Sequence, residues 1–403
     1  MGLFDFFKPK SEKRHHGDNN FLLANYGQRA NSGVTVDENS ALNFSAVWAC
    51  VRVISEAVAS LPIGVYEEKE NGTRGLNKSN PIYPLLAYEP NNYMTSFIFR
   101  EVLMNNLLIH GNAYFHIIRD ASLRPIELIY LDSEDVTPRK MKDGIYYEIK
   151  DPQERKTYNK PIPQFDMLHF VGMGYDGVKG KSVLRTHADT IGLSLGANVT
   201  ASSYFGNSTQ MSGILKHPGK LNEEAAQRLK SSWNNNYSGP YNANKTAVLE
   251  EGMDFKPINI PASDKQLLDS RLFQVQEIAR IFRVPPHLIG DLSKANYNSM
   301  EQLSIEFVRT TLRPYLVNIE SELNRKLFRE SERGKFYVKM SVEGLLRGDS
   351  AARANYYREM LQMGVFSINE VRRFEDLNPI ENGDAHLVPL NFQSLDLVGN
   401  GGE

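Results

Sequence analysis

Apolar positions along the chain change period twice. From Asn43, a candidate N-cap, FSAVWACVRVISEAVASL sets Val47, Val51, Ile54, Val58 and Leu61 at helical spacing, and Pro62 ends the run. PIGVYEE then reads as a strand. TSFIFREVLMNNLLIH is a second helix, stopped at Gly111. Beyond it the period drops to two. NAYFHIIRD, PIELIYLD, DVTPRK, GIYYEIK and DMLHFVGM predict five short strands in a small, mostly antiparallel sheet.

From residue 183 the helical period returns, with Leu184, Ala188, Ile191, Leu195 and Val199 on one stripe. An insert follows: strand SGILKHP, helix LNEEAAQRLKSSW and strand KTAVLEE. A further long helix opens on a Ser263–Gln266 capping box, carries Leu268, Leu272, Val275, Ala279 and Phe282, and ends at Pro285–Pro286. After the polar loop SKANYNS, a Ser299–Gln302 box starts a helix running to about Phe328. Pro314 lies inside it and predicts a kink, because proline has no N–H for the carbonyl of Thr310. KFYVKMSVE is a strand. Two short helices close the chain, one over Asp349–Gly364 and one from a Ser367–Glu370 box to a stop before Pro379. Residues 1–42 and the end SLDLVGNGGE are too polar and turn-rich to bury much.

Composition narrows this to a soluble α+β protein. The 403 residues are 41% apolar and 23% charged, enough chain for two or three domains. The single cysteine, Cys50, excludes a disulfide scaffold and a Cys-based zinc site, and fits a reduced, cytoplasmic setting. No run reaches the roughly 18 apolar residues of a membrane span. The start MGLFDFFKPK is short of a secretory signal, and Phe6 sits where myristoylation requires Ser or Thr. With 46 basic against 48 acidic residues, the chain is no electrostatic clamp on nucleic acid.

Three motifs suggest catalysis and are better read as structure. Gly172-x-Gly174-x-x-Gly177 fits a dinucleotide fingerprint, but its third glycine stands too far before the helix at Leu184. Gly180-Lys181-Ser182 ends a Walker-like loop whose first glycine, Gly174, is one residue out of place; Asp132 is the nearest candidate for a metal-binding carboxylate. Gly192-x-Ser194-x-Gly196 resembles a nucleophile elbow but lies in mid-helix. There Ala188, Gly192, Gly196 and Thr200 form a small-residue ridge suited to close helix packing. The histidines lack metal-ligand spacing, and no cofactor is expected.

One long stretch is more specific. IARIFRVPPHLIGDLSKANYNSMEQLSIEFVRTTLRPYLVNIESELNRKLF resembles tailed-bacteriophage portal proteins of the HK97 type. SAVWACVRVISEAVASLPIGVYE, GNAYFHIIRD, SGILKHPGKLNEEAAQRLKSSW and GDSAARANYYREMLQMGVFSINEVRRFEDLNPIENGD fit the same family in the same order. The resemblance implies a portal fold: a flexible tail over 1–42, a β-rich wing over 43–182, stem helices at 183–206 and 264–284, and an α/β clip between them at 207–263. It further implies a tunnel loop at 285–298, a kinked wing helix and return strand at 299–346, and a crown and tail at 347–403. Asp291, Ser293, Lys294, Ala295, Asn296, Tyr297 and Asn298 would face a DNA channel.

The implied protein is not an enzyme. It is a ring, typically of twelve copies, at one capsid vertex of the virion, assembled in the host cytoplasm. It would pass double-stranded DNA without reading its sequence, and would dock the terminase large subunit and later the head–tail connector (adaptor). The major capsid protein would surround it, with scaffold as a further candidate partner and no membrane involved. Near-neutral charge suits a conduit through which DNA slides, since each neutralised phosphate adds affinity. Two rival readings are a P-loop nucleotide-binding enzyme and a capsid or baseplate subunit with no DNA path.

Overall fold

The computed structural model describes residues 28–387, apart from 32, 34, 70–71, 151–157, 175, 207–212, 220, 238–248, 250–251, 258–263, 293–296, 343–344, 346–349 and 376. Its first elements lie inside the stretch expected to be a tail. Strands β1 (Gln28–Arg29) and β2 (Thr35–Val36) pair antiparallel ahead of helix α1 (Glu38–Leu42). Asp37 and Ser40 cap α1 reciprocally. Ala30, Val36 and Ala41 are buried in the main core, so ordered structure begins well before residue 43. Apolar residues this sparse show no period, and only tertiary cover reveals them.

Helix α2 (Ser45–Ala59) buries Val47, Val51, Ile54 and Val58, the stripe the spacing predicts. Its N-cap is Phe44, because Asn43 is already in helical conformation as the C-cap of α1. Strands β3 (Ile63–Glu68) and β4 (Arg74–Leu76) and helix α3 (Ile82–Ala87) lead to α4 (Ser96–Ile109). Thr95 caps the start of α4, and Gly111, at φ 77°, turns the chain after its end. Helices α2 and α4 pack together. Arg100, buried on α4, donates to the carbonyl of Ala59 and so closes α2; burial lowers its pKa to about 10.

Strands β5 (Asn112–Arg119), β6 (Pro125–Leu131), β7 (Val136–Met141), β8 (Gly144–Ile149), β9 (Ile162–Pro163) and β10 (Met167–Val171) follow. The one sheet expected here is two, ordered β10-β5-β6 and β7-β8-β9, each antiparallel. Strand alternation explains the split. Ala113, Phe115 and Ile117 of β5 enter the main core, while Tyr114 points to the other face. There it joins Leu131, Val136, Tyr147, Ile149 and Met167 in a second core.

The first long helix is broken. Helices α5 (Val183–Thr186) and α6 (Ala188–Gly206) meet at His187, whose φ of −109° and ψ of 27° leave the helical region. In the insert, β11 (Gly213–Lys216), helix α7 (Glu223–Tyr237) and β12 (Asp254–Pro257) are described. Strands β11 and β12 pair antiparallel, and the strand expected at 245–251 lies, apart from Leu249, outside the described residues. Gly252, at φ 72°, turns the chain just before β12 starts.

Helix α8 (Asp264–Phe282) starts where Ser263 lies outside the described residues. After it come α9 (Tyr297–Glu306), a π-helical turn over Phe307–Leu312, and α10 (Arg313–Leu327). Because α9 begins at Tyr297, Ser299 and Gln302 are inside the helix and form no start signal. Strand β13 (Phe336–Met340) pairs with β3, which pairs with β4 on its other edge. Helices α11 (Ser350–Gln362) and α12 (Ile368–Phe374) end the described fold, and the Ser367–Glu370 capping box is present in both directions. Among the described residues, no helix is long and apolar enough to cross a membrane.

Candidate functional site

Helices α6 and α8 pack side by side and are rooted in the main core. At the root, Leu184, Ala188 and Ile191 are buried from one side and Ile278, Ala279 and Phe282 from the other. Of the small-residue ridge, Ala188 and Gly192 are buried and Gly196 is half-buried; Thr200 lies on α6, and its side chain is outside the described residues. Ser194 is buried and donates to the Thr190 carbonyl at 3.0 Å, as a helix-interior hydroxyl does. Asp189 accepts from the backbone and side chain of Asn31, tying the N-terminal segment to this root.

Away from the root the same helices present apolar side chains to solvent. Leu193 is 59% exposed, Val199 62%, Leu272 47% and Phe273 58%. The predicted stripes are therefore covered at one end only, and Val199 and Leu272 lie on their open part. Exposed apolar surface of this kind on a single chain marks an interaction site.

Between α8 and α9 the backbone is irregular. Arg283 adopts φ 55°, and Val284 donates back to the Ala279 carbonyl at 2.8 Å. Pro286–Ile289 form a 3₁₀ turn that ends at Gly290, φ 89°. Asp291 is held toward α8 by Gln276, whose Nε2 donates to its carboxylate at 3.3 Å. Of the residues expected in the loop, Ser293, Lys294, Ala295 and Asn296 lie outside the described residues. Tyr297 and Asn298 are the first residues of α9 rather than loop.

An open groove of about 540 Å³ lies at the base of this loop, with Ala279, Val284, Leu303 and Phe307 in its walls. Arg280, Arg283, His287 and Glu306 add polar groups. Both ring nitrogens of His287 are buried without a partner among the described residues, and burial pushes its pKa down. Arg280 pairs with Glu277, which offsets part of the positive charge there.

Ahead of Pro314 the helix leaves α-geometry in the preceding turn. Arg313 donates to Val308, five residues back, and Pro314 has no N–H to give to Thr310. The buried Thr311 hydroxyl donates out of the helix to the Arg283 carbonyl at 2.6 Å. Thr311, His287 and the left-handed Arg283 were not legible in the sequence; Pro285–Pro286 was the only local signal that α8 stops abruptly.

The glycine loop is a packing seam. Gly172 donates to the Gly111 carbonyl at 2.8 Å, Gly180 to Asn112 Oδ1 at 2.8 Å, and Lys181 to the Met173 carbonyl at 2.7 Å. Val178 and Lys179 both donate to Asp176 Oδ1 at 2.9 Å. Amides that would cradle a phosphate are thus used inside the protein. A Cβ on Gly111 would run into the backbone of Lys181, and one on Gly180 into that of Gly111. Asp132 likewise accepts locally, from the Glu134 amide.

Folding brings together three groups that are distant in sequence. Glu38, His110 and Glu134 place ligand atoms within 4.8 Å of one another, a set able to hold a cation. His110 Nδ1 lies 2.9 Å from Glu38, and Arg185 lies 3.6 Å from Glu134. Burial raises the Glu38 carboxyl, but the hydrogen bond and charge of His110, aided by Arg185, outweigh it and hold the group below its ordinary value. Burial and the Glu38 charge push Glu134 up. The cluster fastens α1 to the end of α4 and the start of α5.

Comparison with known proteins bears on the whole arrangement. Residues 45–376 match the family model described as phage portal protein. The chain is 30% identical over 373 residues to the portal protein of Enterobacteria phage HK97, covering 92% of this chain and 87% of that protein. It is 33% identical over 386 residues to the probable portal protein of Streptomyces phage phiC31, covering 92% and 83%. Its fold matches a chain from the neck of a native gene transfer agent particle computed with C12 symmetry, with a TM-score of 0.57 and 22% identity over 85% of this chain and 92% of that one.

Proposed function

The chain belongs to the phage portal protein family, and from that premise we propose that about twelve copies close into a ring at one capsid vertex and conduct double-stranded DNA. The observation that carries this reading is the open half of the α6–α8 pair. Leu193, Val199, Leu272 and Phe273 are exposed in one chain, and neighbouring copies in a ring would cover them. The C12 neck assembly of the structural relative supports the same count.

In this ring the α6–α8 pair is the stem, β11–α7–β12 the clip, and the segment from Pro285 to α9 the tunnel loop. The clip's short sheet has exposed edges at which the terminase large subunit and later the connector would dock. Function is mechanical rather than catalytic. DNA slides along its backbone, and α8 carries Lys265, Arg271 and Arg280 against Asp264, Asp269 and Glu277, so its charge cancels. A strongly basic wall would grip the duplex instead.

Imaging the purified assembly, with native mass spectrometry for the count, tests the reading. A closed ring near twelve subunits with a hole of duplex width is expected; a monomer or open chains would overturn it. Deleting residues 293–298 should leave the ring intact and reduce DNA packaging or retention.

A further inference from the structure

The two ends of the loop segment meet at one residue. Chain leaves α8 through Arg283, in the left-handed region at φ 55°, and returns through α9 into the π turn at Phe307–Leu312. Each departure from regular helix is unfavourable alone and persists only where its surroundings fix it. Thr311 supplies that fixing. Its side chain is fully buried, and its hydroxyl donates 2.6 Å to the carbonyl that the left-handed turn at Arg283 presents. The guanidinium of Arg283 lies 6.0 Å from the Tyr315 ring one turn further along.

We propose that Thr311 is the positioning residue of the tunnel loop, locking the π turn of the wing helix to the left-handed exit of α8. The inference rests on the loop reading above. Without the Thr311 bond, a return of Phe307–Leu312 to α-geometry is opposed only by the packing of Phe307, Val308 and Leu312 in the main core. Removing the extra residue from the turn rotates everything before it by about 100°. Helix α9 and the loop attached to it would swing, while α10, anchored by Leu316, Ile319 and Leu323 in the main core, would stay. The bond therefore sets where the loop points without touching DNA.

Thr311→Val and Thr311→Ser test this in full-length assembled rings. Valine keeps the shape and loses the hydroxyl, whereas serine keeps it. In Thr311→Val, amide hydrogen exchange across 284–292 and 307–313 should quicken roughly tenfold, with ring size unchanged and DNA retention reduced. Thr311→Ser should restore both. Wild-type exchange rates in Thr311→Val, equal acceleration in the two variants, or faster exchange with undiminished DNA retention would each overturn the proposal. Arg283→Gly leaves the carbonyl in place and relaxes the left-handed turn. It should keep exchange slow in the π turn even if the valine variant assembles poorly, and rapid exchange there would also overturn the proposal. Failure of the wild-type chain to form rings would instead count against the loop reading.

Discussion

The main core, in the proposed wing, and the α6–α8 pair, in the proposed stem–clip arm, satisfy their apolar surface in different ways. In the wing, Phe99, Leu103, Phe115 and Phe170 are almost wholly buried, and the Phe99 and Phe115 rings sit 4.5 Å apart. In the arm, Phe273 and Leu193 are more than half exposed. A residue of the main core finds its partners within its own chain, whereas in the proposed ring an arm residue would find them on another copy. The same amphipathic pattern thus serves folding in one region and assembly in the other.

Substitutions should separate the two roles. The largest effect is expected from Phe115→Ala, which should lower the stability of the chain by about 3–5 kcal/mol in denaturant titration, while Phe273→Ser changes it by less than about 0.5 kcal/mol and instead breaks the ring in native mass spectrometry. Equal losses of chain stability would dissolve the distinction.

A pH effect comes next. Burial, reinforced by Lys326 and Arg325, pushes the His169 pKa down to about 3, from an ordinary 6.5. The unfolded chain therefore binds a proton that the folded wing refuses, so stability is lost as pH falls below about 6.5. Between pH 7 and 5.5 the loss should be about 1 kcal/mol, and His169→Asn should remove most of that slope in urea midpoints. An unchanged slope in the variant would discard His169 as the source.

The smallest effect runs the other way. The Tyr114 hydroxyl is buried in the second core with no partner among the described residues. Tyr114→Phe should raise stability by about 1 kcal/mol, seen as a higher melting temperature. A decrease would show that the hydroxyl is bonded.

Local signals read well where one element supplies its own evidence. The stripe of α2, the Thr95-to-Gly111 span of α4 and the Ser367–Glu370 box needed no tertiary knowledge. The family, too, was legible from long matches in one order. Ser299–Gln302 shows the limit: a capping pattern of the kind that caps α12 lies inside α9, which already runs from Tyr297. The glycine loop is another case. Its glycines make sense only beside Gly111 and Asn112, which lie about sixty residues away in sequence. Thr311 resembles any helical threonine until folding places Arg283 against it.

The break at His187 gives the stem a mechanical character. One stem helix joins the wing through His187 and the other through Arg283, each a single residue outside helical geometry. Long helices bend little, so strain applied at the clip would gather at these two points. In the proposed ring the arm would act as a stiff lever held at two roots. Arg283 is bonded by Thr311, and at His187 backbone hydrogen bonds run on across the break, to Val183 and from Ile191. Leverage from the proposed clip would be met there by Leu184, Ala188 and Ile191, buried in the main core on both sides of His187.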